Sequence, residues 1–296
     1  MAKCLITGHK GYIGSKLFDR LKELGHEVMG IDLQEVISSD VTRLLKEDRE
    51  GRFHPHYFNF QPEYIFHMAC WPRIGFCLKN PVITMENNVL AGSVVLNFAN
   101  KCKSVKRVIY SSSSSVVGNG QGPTNPYALQ KLVTEMECKI YSEIYGLDTV
   151  SLRYFNVYSE DQDASGPNAT AVAHWIHSIK NDIEPYITGD GEQRRDMIHI
   201  NDIVSANIFA MNYQGDFNGQ SFDVGTGENI SLNEIKDIIQ EYHDIEFQYI
   251  GDRPGEVSST KAKIDDLESL GWKAQIKITK GIRNCFRFVN FKKEIK

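Results

Sequence analysis

Two groups of residues in this chain have the types and spacing for chemistry. The first is Tyr127-Ala128-Leu129-Gln130-Lys131, which sets a phenol and an ammonium four residues apart. On a helix that spacing puts both on one face. An unperturbed tyrosine loses its proton near ~10, and an ammonium beside it stabilises the phenolate and lowers that value. Such a phenol can exchange a proton with a substrate hydroxyl while hydride moves to or from a nicotinamide. Asn125-Pro126 directly ahead starts the helix sharply and places Tyr127 in its first turn. Taken alone, the same pair equally describes an amphipathic surface.

The second group is Thr7-Gly8-His9-Lys10-Gly11-Tyr12-Ile13-Gly14. Gly8, Gly11 and Gly14 allow a tight turn and close backbone approach to phosphate. The helix that follows presents free N–H groups and a positive dipole end to a pyrophosphate. Asp32 ends the next apolar run, where a carboxylate accepts hydrogen bonds from the adenosine ribose hydroxyls. A 2′-phosphate would be repelled there, so NAD is expected rather than NADP. Asp40-Val41 follows in a place suited to the adenine edge, and Asp40 suits a helix cap ahead of Thr42-Arg43-Leu44 equally well.

These groups need elements to hold them. Lys3–Thr7 is an apolar run read as a strand, and Ile13, Leu17, Leu21 and Leu24 mark one face of a helix ending at Gly25. Strands are expected over His26–Asp32, Tyr64–Cys70, Val105–Ser111 and Thr149–Tyr154. Helices are expected over Pro81–Lys101, capped by Asn80, and over Tyr127–Tyr145, ending at Gly146. Strands alternating with helices imply parallel pairing and right-handed crossovers. The fold class is therefore α/β: a doubly wound (Rossmann) parallel sheet with a smaller mixed α/β C-terminal substrate lobe. The expected division is residues 1–155 for the dinucleotide and the Tyr/Lys pair and 156–296 mainly for substrate, with some segments returning to the first part. In the second part, helices are expected over Ala169–Asp182, Asn201–Tyr213 and Ser231–Tyr242, the last with Ser231 and Glu234 spaced as a capping box.

Composition narrows the function. The 296 residues carry a net charge of −5, which gives no reason to expect a nucleic-acid partner. A phosphorylated substrate must then be met by local arginines or lysines. Six cysteines form no CxxC pair or metal-ligand cluster, so no metal is expected, and they suit a reducing compartment. No apolar run approaches the ~18 residues that cross a membrane, and the chain enters its first strand without a signal peptide, so the expected location is the cytoplasm.

In series, these motifs resemble the extended short-chain dehydrogenase/reductases of the nucleotide-sugar epimerase/dehydratase group. The resemblance runs through Thr7-Gly8-x-x-Gly11-Tyr-Ile-Gly14, His67-Met-Ala69, Asn88-Val89, Val108 to Gly118 and Asn125 to Lys131. It continues through Leu152 to Tyr158, Gly189 to Asp196, Phe222 to Gly227, Arg253-Pro-Gly-Glu256 and Leu270-Gly-Trp272. It implies that Tyr127 is the acid/base, that Lys131 holds the ribose hydroxyls, and that Ser113 hydrogen-bonds the sugar hydroxyl. It assigns Tyr12, Ile13, Ala69, Asn88 and Tyr154 to the NAD side. Asn156 is assigned to the nucleotide-sugar, and Arg195 and Arg253 to its diphosphate, which arginine can grip bidentately. It also implies a homodimer formed through the helices Pro81–Lys101 and Tyr127–Tyr145.

The resemblance further orders the reactions. Dehydratases of this group carry Asp-Glu directly after the Ser/Thr, and uronic-acid decarboxylases carry a nearby Glu; here Ser114 and Ser115 follow Ser113. The plain cycle remains: oxidise C4, rotate the 4-keto sugar, reduce the other face. A UDP-hexose 4-epimerase is therefore expected. An epimerase of another NDP-sugar, such as an ADP-heptose 6-epimerase, is the runner-up, ahead of a dehydratase or decarboxylase and a non-catalytic NAD-binding sensor. In 4-epimerases the side chain corresponding to Thr260 gates bulky 2-N-acetyl sugars, so a small Thr260 predicts that UDP-N-acetylhexosamines fit too. The chain departs from the group's pattern at Val117, in a short Ser113–Tyr127 connection, and in Ser159-Glu160-Asp161.

Overall fold

The computed structural model describes residues 1–34, 40–72, 74–162, 164, 170–251 and 258–289, without the side chain of Asn119. They divide into two compact units. The first comprises Met1–Tyr154 and Val204–Phe222, the second Phe155–Ile203 and Asp223–Lys296.

The first unit is built on a six-stranded sheet. β1 (Lys3–Thr7), β2 (Glu27–Ile31), β3 (Tyr64–His67), β4 (Arg107–Ser113) and β5 (Thr149–Tyr154) take the order β5-β4-β3-β1-β2, with the strand Ser221–Val224 beyond β5. The pairs β1–β2, β1–β3, β3–β4 and β4–β5 are parallel, in registers such as Cys4↔Val28, Ile65↔Val108 and Val108↔Thr149. This is the doubly wound sheet expected from the alternation. Cys4, Leu5 and Ile6 in β1 are all fully buried. A central parallel strand is covered on both faces, so it reads as a continuous apolar run. Leu5, Ile65, Val95, Phe98, Val108 and Tyr110 share one core.

The helix expected over Pro81–Lys101 contains a widened π-type turn at Glu86–Leu90, between regular segments Pro81–Met85 and Ala91–Lys101. Asn80 does not cap it with its side chain; its amide donates backwards to the Phe76 carbonyl. A Cβ on Gly92 would lie 2.6 Å from the Thr134 methyl, so a glycine there lets this helix approach Pro126–Tyr145 closely.

Arg107, at the start of β4, is 6% exposed. It pairs with Asp148 and donates to the carbonyls of Ala210, Tyr213 and Gly215. Asp148 in turn accepts from the N–H groups of Phe217 and Asn218. One buried ion pair thereby ties the returning segment 204–222 into the first unit, with its donors satisfied as burial demands.

The second unit has small sheets in place of a large one: Ile230–Ser231 with Arg194–Arg195, Gln248–Ile250 with Tyr186–Thr188, and Val157–Tyr158 with Ile198–His199. Tyr158, Trp175, Ile187, Ile235, Ile239 and Phe286 form its core. The helix Leu232–Gln240 opens with the expected capping box, Ser231 and Glu234 each closing on the other's backbone N–H. Among the described residues no helix is long and apolar enough to cross a membrane, and no group of three potential ligands could hold a metal ion.

Candidate active site

The helix Pro126–Tyr145 carries the phenol and the ammonium. Asn125 accepts from the Ala128 N–H at 3.0 Å, Pro126 fills the first position, and Gly146 ends the helix at φ 68°. Tyr127 is 9% exposed and Lys131 2%. Ser113, which ends β4, lies close enough to the Tyr127 hydroxyl to influence its proton. Ser113 Oγ also accepts from the N–H and hydroxyl of Ser115 at 3.2 and 2.9 Å. Ser113, Tyr127 and Lys131 are thus brought together in one unit.

The electrostatics differ from the expected ones. Lys131 Nζ donates to the Ser111 carbonyl at 2.5 Å and lies 4.9 Å from the Tyr110 ring centre and 5.9 Å from that of Tyr127. Burial dominates the phenol: it pushes Tyr127 well above its ordinary value, the nearby Cys70 and Cys77 thiols push the same way, and the neighbouring Ser113 hydroxyl offsets part of this. The ammonium is directed at a carbonyl and does not lower the phenol in the protein alone.

The glycine-rich turn links β1 to the helix Tyr12–Glu23. Gly8 has φ +74°, and a Cβ there would lie 2.7 Å from the Ala69 nitrogen. A Cβ on Gly14 would lie 2.0 Å from the Gly8 carbonyl oxygen. No side chain caps this helix and no acidic residue occupies its first turn. A helix start leaves its first N–H groups without acceptors inside the helix, here those of the turn that opens with Ile13 and Gly14. Asp32, 8% exposed, accepts from the Lys10 N–H at 2.8 Å and the Gln34 N–H at 2.9 Å, which fixes it beside the turn. Asp40 caps Val41–Leu44, accepting from the Thr42 N–H and hydroxyl, both at 2.7 Å. A dinucleotide fits this set: an uncapped helix start and glycine backbone for the diphosphate, and an acceptor carboxylate for a ribose.

The other residues assigned to the cofactor side are packed into unit-one networks. Ala69 N–H donates to Thr7 Oγ1 at 3.3 Å. Asn88 lies in the π-type turn, 2% exposed, and accepts from the Trp71 N–H at 2.7 Å. Tyr154 hydrogen-bonds Asn207, and burial pushes its phenol up as well.

In the second unit, Asn156 Nδ2 donates to the Asp196 carbonyl at 2.7 Å and reaches Thr260 Oγ1 at 3.4 Å. Arg195 sits on a two-residue strand and donates to the Arg194 carbonyl at 2.9 Å. Asn156 and Thr260 therefore meet at the Asp196 main chain, with Arg195 its neighbour in sequence. Arg253 lies outside the described residues.

Three neighbours of the Tyr127–Lys131 pair had no role from sequence. His67 ends β3, 2% exposed, with Nδ1 2.7 Å from Thr7 Oγ1 and its ring stacked on Tyr110. Burial and the Lys131 charge push its imidazole down to about 3. Cys70 and Tyr110 are close enough to Tyr127 to influence its proton or be influenced by it. A polar residue closing a buried strand, as His67 does, was the one available signal.

Comparison with known proteins identifies the family. Over 98% of both chains, the sequence is 32% identical to a putative UDP-glucose 4-epimerase from Methanocaldococcus jannaschii. A UDP-glucose 4-epimerase from Thermotoga maritima, solved with UDP-glucose, superposes with a TM-score of 0.83 at 29% identity, covering 97% of this chain and 98% of that one. A UDP-N-acetylglucosamine 4-epimerase from Methanobrevibacter ruminantium M1, solved with UDP-N-acetylmuramic acid, also gives 0.83, at 28% identity and 97% coverage of each. Residues 4–225 match the NAD dependent epimerase/dehydratase family, and the chain belongs to that family.

Proposed function

We propose that the protein is a UDP-hexose 4-epimerase that also takes UDP-N-acetylhexosamines. One observation carries this reading: Ser113 ends β4 beside Tyr127, and the residues that follow it bring no carboxylate to divert the chemistry. Ser114 and Ser115 follow Ser113. The carboxylate buried behind this strand, Glu135, is engaged by Arg153, Ser112 and Ser221. A dehydratase or decarboxylase would need a further acid or base at that place. The full-length similarity to UDP-glucose and UDP-N-acetylglucosamine 4-epimerases supports the same substrates.

Bound NAD supplies a hydride acceptor that takes hydrogen from C4 and later returns it. The glycine turn and Asp32 would hold it, with Lys131 on its ribose hydroxyls. Tyr127 removes the C4 hydroxyl proton and gives it back after the 4-keto sugar has turned. Ser113 hydrogen-bonds the same oxygen and keeps it in line with the phenol. Asn156, Arg195 and Arg253 bind the nucleotide part, and Thr260 leaves room for a 2-N-acetyl group. Residues 1–155 then serve mainly the dinucleotide and 156–296 mainly the nucleotide-sugar.

The same reading includes a cytoplasmic homodimer. Pro81, Val82, Met85, Val89 and Leu90 line an apolar groove on one helix, while Leu129, Met136 and Ile140 are exposed on Pro126–Tyr145. Two such helices from each of two copies would cover these surfaces.

Purified protein with NAD should interconvert UDP-glucose and UDP-galactose, and UDP-N-acetylglucosamine and its 4-epimer, with Tyr127→Phe as the inactive control. Bound NAD with no change in any of these sugars would refute the reading.

A further inference from the structure

Asp196 is a carboxylate inside the second unit, 0% exposed, and it gathers backbone from two separate stretches. Its Oδ1 accepts from the N–H and hydroxyl of Thr226 at 2.9 and 2.8 Å. Its Oδ2 accepts from the N–H groups of Gly227 at 2.9 Å and Ala262 at 3.0 Å. The main chain of the same residue completes the junction. Its N–H donates to the Thr260 carbonyl at 3.0 Å, and its carbonyl accepts from Asn156 at 2.7 Å. Arg194 N–H and Thr260 N–H add rungs between these strands. A Cβ on Gly225 would come 2.9 Å from Asp196 Oδ2, so the carboxylate also explains that glycine.

The residues touched or flanked by Asp196 are those assigned to the nucleotide-sugar: Asn156, Arg195 and Thr260. We infer that Asp196 is a positioning residue for substrate, a buried carboxylate that fixes the mutual spacing of these three arms without itself touching the sugar or the diphosphate. This rests on the substrate assignment proposed above. The argument is one of geometry. Four donors converge on two oxygens, and no neutral side chain of this size accepts four hydrogen bonds in that layout. An amide in its place would turn its NH2 toward two N–H donors and push one stretch away. Displacement of an arm by about an ångström weakens binding and orientation sharply. Burial raises the Asp196 carboxyl, while Thr226, Ala262 and Gly227 pull it back down, so the four bonds offset the cost of a buried charge.

The test measures KM and kcat for UDP-glucose, UDP affinity by calorimetry and NAD affinity by fluorescence, in wild type, Asp196→Asn and Thr226→Val. Asp196→Asn should raise KM and weaken UDP binding by tenfold or more, with kcat within about threefold and NAD affinity unchanged. Thr226→Val removes one of the four bonds and should move KM and UDP affinity the same way by a few-fold, so it decides the matter if the first variant does not fold. Unchanged KM and UDP affinity in a folded variant, or equal losses of UDP and NAD affinity, would overturn the inference. A wild type that binds neither UDP nor UDP-glucose would instead refute the substrate assignment.

Discussion

Asn88 and Gln130 meet in the interior of the first unit, Asn88 Nδ2 donating to Gln130 Oε1 at 2.8 Å. Asn88 also clamps both backbone groups of Trp71, while Gln130 Nε2 donates to Thr84 Oγ1 at 3.0 Å. Gln130 lies between Tyr127 and Lys131 on the catalytic helix, so the pair splices that helix to the connection leaving β3. Gln130→Leu would remove the shorter of the two acceptors of the Asn88 amide and leave one of its N–H groups unpaired. A buried group left without its partner costs about 1–3 kcal/mol, so the melting temperature should fall by several degrees, and kcat should fall with it. An unaltered melting curve would show that the network contributes nothing.

Tyr127→Phe removes the proton carrier and leaves the glycine turn intact. Turnover should drop by about 10²–10⁴-fold with NAD still bound. The NAD-free protein offers a second check. Because burial holds the Tyr127 phenol above its ordinary range, the ultraviolet difference spectrum between wild type and Tyr127→Phe should show no phenolate below pH 10. A phenolate signal at pH 8 would contradict the burial argument.

His67 makes stability depend on acid. The unfolded chain takes up a proton on this imidazole near ~6.5, whereas the folded protein holds it neutral down to about 3. Stability contributed by neutral His67 is complete above the unfolded value and is lost as pH falls through that window, because the unfolded state then binds the extra proton. The full extent is on the order of 4 kcal/mol. Denaturant unfolding from pH 7 to pH 4 should show this loss, and His67→Asn should flatten the slope by one proton. An identical slope in the variant would be the contrary result.

Leu90→Arg places a charge on the apolar groove beside the π-type turn, where Leu90 is 39% exposed. In a dimer formed across this face the arginine would carry a charge and a longer side chain into a largely apolar interface, with only Glu86 of the same groove near it, and should weaken the dimer. Sedimentation should find a dimer for wild type and a monomer for the variant. A variant as dimeric as wild type would exclude these helices as the interface.

Much of the scaffold was legible because its signals are local. β5 runs over the expected Thr149–Tyr154, and Asn125-Pro126 and Gly146 mark the ends of the catalytic helix as their chemistry demands. The π-type turn at Glu86–Leu90 was not legible, since no Gly or Pro marks it and the inward turn of Asn88 depends on Trp71 and Gln130. The strand Ser221–Val224 is too short for a clear period and gains its place from the sheet. The upward shift of Tyr127 was illegible for a similar reason. Spacing predicted a neighbouring ammonium, but the Ser111 carbonyl that accepts its hydrogen bond is set by β4. Asp196 stood inside a recognised motif, yet its partners Thr226, Gly227 and Ala262 come from distant stretches.

The Arg107–Asp148 pair has a consequence for how the chain is born. The carbonyls that Arg107 requires belong to Ala210, Tyr213 and Gly215, and these leave the ribosome long after β4 and β5. Domains fold as units during synthesis, N-terminal parts first, but here the N-terminal unit lacks its own closing segment until the intervening part of the second unit has been made. A nascent chain halted at residue 155 would carry a guanidinium with most of its acceptors still unmade. The order of translation and the order of completion are therefore different in this protein, and the first unit must wait for part of the second.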